Sequence, residues 1–388
     1  MSKNIIYKGL RILIAEGRAR QCLPLIRSFK KQGCIVAALC RSKLDVAYAS
    51  RYTDKRIIGV CDDEKEEETT SQIRNLLKTG EYDIVVPTTD FIARILSKNK
   101  IEFSKYAKIA SNDWEIFQLA GDKSKTMEIC MKNDIPCPST LLDVKCLEDI
   151  LNSTIAFPIV MKPKVGFGAI GFKVVKSKEE MIKLSPLIHD YGSYVFQEYI
   201  PQTDIQYECA MFIDNDNNVK TSVVFSKNRW FPISGGSSTL NITVDRPDII
   251  ESCKKLLQLI NWRGAADVDF IQDPRDGIAK IMEINPRVSG SVKITFDAGT
   301  DQGLQMIQLL LGNDVTDFNK YEYGRRLRCS QTDLLWFIKS PNRFKSKPSW
   351  FSNYKTRDQI FYWSDPWPYF AFSLSGLFRY KREMKKRS

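Results

Sequence analysis

Residues 280–290 read KIMEINPRVSG, and 266–279 before them read ADVDFIQDPRDGIA. Two runs of strand-forming residues flank the turn signal DPRDG at 273–277, which predicts an antiparallel hairpin. Side chains alternate along a strand, so Asp267, Asp269 and Ile271 share one face of the first run, and Glu283 and Asn285 share one face of the second. Folding about a turn centred near Arg275 or Asp276 sets Asp269 opposite Glu283, to within one register step. Directly opposed carboxylates repel, so the pattern asks for a cation between them. Mg²⁺ or Mn²⁺ suits it, because such an ion takes one or two carboxylates and fills its octahedron with water and nucleotide phosphate oxygens. The Asn285 amide oxygen adds a ligand without charge, and Arg287 just beyond offers a guanidinium to phosphoryl oxygens. A solvated hairpin face carrying chance acids is the alternative.

A second segment, KPKVGFGAIGFKVV at 162–175, places Gly166, Gly168 and Gly171 in the spacing GxGxxG. A dinucleotide fingerprint must open a helix, whereas FKVVK here is strand-like. A glycine-rich loop between two strands is instead a flap whose backbone N–H groups cover phosphates, and Lys162 on the strand leading in supplies a point charge to them. A simple tight turn is the competing reading. No HRD catalytic signature is present, which excludes a protein kinase.

The 388 residues, 43% of them hydrophobic, suffice for two to three domains of ordinary size. No apolar run approaches the ~18 residues of a membrane span, and the first residues carry no cleavable leader pattern, so a cytoplasmic location is expected. Ten scattered cysteines never form a CxxC pair and read as reduced core residues. The lone histidine, His189, excludes a catalytic triad or a multi-histidine metal site and reads as a surface residue. Net charge is +12, but residues 320–388 alone hold 16 Lys+Arg against 5 Asp+Glu. The larger part of the chain is therefore nearly neutral.

RILIAEG, CIVAALC and YDIVVPTTD read as buried strands alternating with helices such as LPLIRSFKKQG, which ends at Gly33. That alternation predicts a parallel sheet over about the first 110 residues. The first strand-to-helix turn, AEGRARQ, holds one glycine, so this unit reads as scaffold and not as a dinucleotide site. After Pro158 the chain turns strand-rich, with hairpin signals at DNDNN (214–218) and DPRDG, and an α+β unit with mainly antiparallel strands follows.

Together these segments resemble the ATP-grasp superfamily, and within it the carbamoyl-phosphate-synthase-like carboxylate–amine ligases, over roughly residues 10–315. The resemblance implies a Rossmann-like pre-ATP-grasp domain (1–113) that helps to bind the acceptor. An ATP-grasp domain (114–319) would follow, with a small lobe near 123–200 and a large lobe near 201–319. By the same likeness Asp269, Glu283 and Asn285 hold Mg²⁺, Lys123 in GDKSKT and Lys162 contact ATP phosphates, and Arg287 meets the transferring phosphoryl group. Glu198, Tyr199 and Ile200 in QEYI match the hinge that meets adenine. Where relatives place a ribose-binding glutamate, the nearest match is Gln206, with Asp204 and Glu208 nearby. Gly236, Ser237 and Ser238 in SGGSST stand where relatives hold the acceptor, or simply form a turn.

The implied activity is ATP-dependent ligation, in which a carboxylate becomes an acyl phosphate and an amine then forms an amide. Lys162 and Arg287 are the expected catalytic groups. A carboxyphosphate- or carbamoyl-phosphate-forming enzyme and a non-catalytic nucleotide-binding protein are the rivals. Small-molecule carboxylate and amine substrates, and a homodimer, are the partners expected. The segment 320–388 lies outside the resemblance and reads as a basic, aromatic extension. The plain reading, a helix packed back on the core through its aromatics with a frayed basic tail, stands first; peripheral contact with the inner membrane face or a lipid-linked substrate of polysaccharide assembly comes next, ahead of nucleic acid.

Overall fold

The computed structural model describes residues 7–166, 171–202, 205–233 and 236–376. Five strands, β1 (Arg11–Ile14), β2 (Ile35–Cys40), β3 (Lys55–Ile58), β4 (Ile84–Val86) and β5 (Lys108–Ile109), form a parallel sheet in the order β3-β2-β1-β4-β5. Its apolar runs are buried on both faces, as parallel sheets require. Ile12, Ile14, Val36 and Ala38 pack against the helix Cys22–Lys31. Leu13, Ala37, Leu39 and Val85 face Ile73, Leu77 and Ile95 from the helices Glu66–Lys78 and Asp90–Lys98. The strand order reverses between β1 and β4, so the loops after these two strands border the crevice where open α/β sheets bind ligands.

The helix Lys123–Lys132 opens the next unit; the Asp122 side chain caps it by accepting from the N–H groups of Ser124 and Lys125, which sets Lys123 at the first helical position. Four strands, β6 (Thr140–Leu141), β7 (Ile159–Pro163), β8 (Lys173–Val175) and β9 (Tyr194–Glu198), then form an antiparallel sheet in the order β6-β9-β7-β8. The glycine-rich segment thus stands between two paired strands, and among the described residues Gly171 leads into β8. Gly168 lies outside the described residues. At Gly171, with φ +75°, a Cβ would meet the Pro163 ring at 2.9 Å, so only glycine lets the loop close against β7.

The third sheet contains β10 (Gln206–Ile213), β11 (Val219–Phe231), β12 (Ser237–Thr243), β13 (Gly264–Gln272), β14 (Ala279–Asn285), β15 (Arg326–Arg328) and β16 (Thr356–Asp358), in the order β14-β13-β10-β11-β12-β15-β16. All its pairs are antiparallel except β15 with β16.

The segment after 320 continues the body of the protein. Leu327 packs with Val223, Phe225 and Ile294, while Cys329 and Ile360 join the core that holds β1 and the helix Cys22–Lys31. Asp333, fully buried on the helix Ser330–Lys339, pairs with Arg229 of β11 at 3.0 Å and with Arg328 of β15 at 3.2 Å. Two guanidiniums on one buried acid fasten helix to sheet. The basic run 377–388 lies outside the described residues. Among the described residues no helix is long and apolar enough to cross a membrane.

Candidate active site

The hairpin β13–β14 carries Asp269 directly opposite Glu283, and Asp267 opposite Asn285, with a bulge between Asp269 and Phe270. On the other side of β13, Glu208 of β10 is opposite Asp269. Three adjacent strands therefore set Glu208, Asp269 and Glu283 in one row, an arrangement whose mutual repulsion opposes folding unless cations enter.

Two lysines enter. Lys227 of β11, two positions along from the residue opposite Glu208, reaches Glu208 at 2.8 Å and also pairs with Asp269. Lys123 reaches Glu283 at 3.1 Å from its helix and donates to the Gly166 carbonyl of the flap at 2.9 Å. Two ammonium groups thus lie among the acids of the row. Lys227 was not evident beforehand: it belongs to VKTSVVFSKN, and only the pairing of β11 with β10 brings it over the acids.

The surroundings tune these groups apart. Burial pushes Glu208 up, but Lys227 and hydrogen bonds from Asp267, Lys227 and Ser289 outweigh it and hold the carboxyl at about 2. Burial and then the Glu208 charge push Asp267 well above the ordinary carboxylate range. Asp267 Oδ1 is buried with no hydrogen-bond partner among the described residues. For Glu283, burial raises its pKa but Lys123 and Lys162 lower it further, so it stays ionised. Burial lowers Lys162 to about 8 against the attraction of Glu283; its Nζ lies 3.4 Å from the Met282 carbonyl. Arg287 is held between Asp90 at 3.2 Å and Asp267 at 3.5 Å, and donates to Asn285 Oδ1 at 3.1 Å.

These groups face one cavity of about 370 Å³. Lys123, Lys162 and Gly166 form its flap side, and Asp269, Glu283, Asn285 and Arg287 its floor. Gln206 and Glu208 line it as well, so two of the ribose candidates are present, while Asp204 lies outside the described residues; Glu208 nonetheless faces Lys227 and Ser289 and belongs to the acid row. Gly236, Ser237 and Ser238 close a further wall. A Cβ on Gly236 would collide with the Phe231 carbonyl, and Ser238 hydrogen-bonds Asn241, so a structural role accounts for both.

Glu198, Tyr199 and Ile200 are not among the lining residues. Glu198 instead accepts from Ser139 N–H at 3.0 Å and from Arg275 at 2.8 Å, the latter on the β13–β14 turn, and Tyr199 N–H donates to the Pro158 carbonyl at 3.3 Å. Gly171 is outside the lining too. His189 is exposed.

The loop after β1, read as scaffold, carries Glu16, Arg18, Arg20 and Gln21 toward the cavities. Arg20 lines the phosphate-side cavity. Glu16 and Arg18 line a smaller one of about 190 Å³ with Arg41, Thr89 and Asp90 at the β1/β4 crevice. A third cavity, about 350 Å³, runs past Ile109, Trp262 and Met306. Arg287 borders all three. A single-glycine turn gave no signal for this, because ion-pairing side chains and not backbone N–H groups do the lining.

The donors gathered here are hard oxygens beside buried cations, a set suited to Mg²⁺ and polyphosphate. No cluster of three or more His, Cys, Asp or Glu side chains that could hold a metal ion was found among the described residues; Asn285 completes the candidate set.

Residues 120–291 match the ATP-grasp domain family. A D-aspartate ligase of Enterococcus faecium is 26% identical over 232 residues, 54% of this chain and 54% of that protein. The chain spans about half the length of the curated relatives it matches. Among solved structures, a biotin carboxylase–ATP-analogue complex (β,γ-ATP) from Campylobacter jejuni superposes with TM-score 0.68 at 20% identity, covering 81% of this chain and 74% of that one. A biotin carboxylase domain dimer from Hydrogenobacter thermophilus, solved with MgADP, ADP and bicarbonate, superposes with TM-score 0.66 at 17% identity, covering 81% and 73%.

Proposed function

Because residues 120–291 are an ATP-grasp domain, we propose that the chain is an ATP- and Mg²⁺-dependent carboxylate–amine ligase. The observation that carries this reading is the row Glu208–Asp269–Glu283 meeting Lys123 and Lys162 across one cavity. Lys123 and Lys162 hold the triphosphate under the glycine flap. Asp269, Glu283 and Asn285 hold the metal, for which the Asp267 oxygen without a hydrogen-bond partner stands as a further acceptor nearby. Bound Mg²⁺ supplies neutralisation of phosphate charge.

A substrate carboxylate oxygen bonds to the γ-phosphorus as the bond from that phosphorus to the β-γ bridging oxygen breaks, giving an acyl phosphate and ADP. The amine nitrogen then bonds to the acyl carbon, the acyl C–O bond breaks, and phosphate leaves with the amine proton passing to it or to solvent. Arg287 steadies the charge that grows on the phosphoryl oxygens in the first step. Positioning and charge neutralisation do the work, and no side chain is required as a general base. The acceptor approaches from the β1/β4 crevice, where Glu16 and Asp90 offer negative charge to an amine beside Arg287.

The second reading, in which bicarbonate is the group phosphorylated, draws on the bicarbonate held in the Hydrogenobacter domain. ADP release separates the two: stimulation by an organic carboxylate with an amide found by mass spectrometry supports ligation, and strict dependence on bicarbonate supports the rival. Glu283→Gln should lower carboxylate-stimulated ADP release by about 10³-fold with an unchanged circular dichroism spectrum. Full activity in that variant would mean that the metal lies elsewhere.

A further inference from the structure

Exposed large apolar side chains are scattered singly over most of the surface, as is ordinary. Residues 334–374 depart from this. Trp363 is 88% exposed, Phe344 71% and Trp367 68%, with Phe351, Tyr354 and Phe370 all above half. Ring contacts chain the first group together: Trp363 to Phe361 at 4.9 Å, Phe361 to Tyr369 at 5.6 Å, Tyr369 to Phe370 at 5.7 Å and Phe370 to Trp367 at 6.1 Å. A helix over 367–376 presents Trp367, Phe370 and Leu374 on one outward face.

This face continues onto the neighbouring helix. Gln331 donates to Ser373 at 3.0 Å, and Gln331 shares a face of Ser330–Lys339 with Leu334 and Ile338, which are 48% and 55% exposed. At the far end of that helix, Phe337 touches Phe344 at 5.5 Å and Phe351 at 5.7 Å. Two exposed apolar groups, one about Trp363 and Trp367 and one about Phe344 and Phe351, thus lie on helices that the Gln331–Ser373 hydrogen bond joins.

Charge identifies what covers them. Residues 334–374 contain six Lys and Arg against two Asp, of which Asp365 is buried. Lys339, Lys345 and Lys347 are exposed beside the rings, and the Arg343 guanidinium lies 5.4 Å from the Phe344 ring. A second copy of this chain seated on the same band would bring two such basic rims together, which opposes pairing. Tryptophan and phenylalanine rings amid lysine suit the headgroup layer of an anionic bilayer, where the ring enters the interface and the ammonium meets lipid phosphate. We propose that residues 334–374 form a surface by which the folded chain docks on anionic membranes, its helices lying along the interface and not crossing it.

The test uses the full chain and sedimentation with vesicles of equal phosphatidylglycerol and phosphatidylcholine, against vesicles of phosphatidylcholine alone. Binding is expected to the anionic vesicles, weakening as salt is raised, with a blue-shifted tryptophan emission. The double variant Trp363→Ser, Trp367→Ser should reduce the sedimented fraction at least about fivefold, with thermal stability unchanged. The variant Lys345→Glu, Lys347→Glu, which leaves every ring in place, should shift the salt dependence as well. Equal sedimentation with and without vesicles, or binding indifferent to both variants, overturns the proposal. So does light scattering that shows a dimer dissociated by the tryptophan variant, or capture of an acidic protein in preference to vesicles, because either gives the band to another occupant.

Discussion

Lys227 holds Glu208 and Asp269 together, and its removal shows what the row costs. With Lys227→Met, Glu208 and Asp269 keep their like charges in a buried site, and the loss is about 3 kcal/mol by urea denaturation in EDTA at neutral pH. Added Mg²⁺ or acidification should restore the midpoint, since each removes the repulsion; an unchanged midpoint would mean that the acids do not depend on this lysine. Lys162 makes a pH prediction. Burial lowers its folded-state pKa to about 8 from the ordinary 10.5. Between these values the unfolded chain keeps a proton that the folded chain has shed. Stability therefore rises with pH through that window, by up to about 1.4 kcal/mol per unit from this group. Urea midpoints measured from pH 7 to 10 should show that rise in the wild type and lack it in Lys162→Met. At this scale the sequence disclosed Asp269, Glu283, Asn285 and Arg287, because one hairpin carries them and its register follows from alternation and a turn. It did not disclose Lys227, Arg20 or Asp333, whose partners lie on strands or helices far away in the chain.

Elements were legible where a period could repeat. The hairpin β13–β14, the strands flanking the glycine loop and the apolar runs of the parallel sheet each hold enough residues for alternation or burial to be seen. β15 and β16 have three residues apiece, too few for any period; β12 offers its edge to β15, and β15 in turn to β16. That is why residues 320–358 looked separate from the rest in the sequence yet extend its largest sheet. The clasp behind them is the Arg229–Asp333–Arg328 cluster, in which burial, opposed by Asp333, lowers Arg229 to about 10. Asp333→Ala leaves two buried guanidiniums without their shared acid and should cost about 4 kcal/mol, read as a fall in the thermal midpoint with loss of near-ultraviolet signal from Trp336 and Trp350. A shift within about 0.5 kcal/mol, as for a surface site, would show that the helix Ser330–Lys339 is held by its apolar contacts alone.

At the scale of the whole molecule, one of the buried clusters joins segments that the sequence reads as successive units. Val288, Val292, Met306, Cys329 and Ile360 pack with β1 and the helix Cys22–Lys31. A chain ending at residue 319 would therefore lose the last two of these, along with β15 and β16. It should lack a cooperative thermal transition, whereas the full chain shows one; a sharp transition in the shortened chain would mean that the core closes without them. The same union places Arg287 between Asp90 of the parallel-sheet unit and Asp267 of the large sheet. A ligand that draws the guanidinium toward its own oxygens leaves Asp90 uncompensated, and the vacated charge then attracts a positively charged molecule on the opposite wall. By reciprocity two such ligands would strengthen each other's hold by the same factor, so on the proposed reading nucleotide and acceptor would load cooperatively.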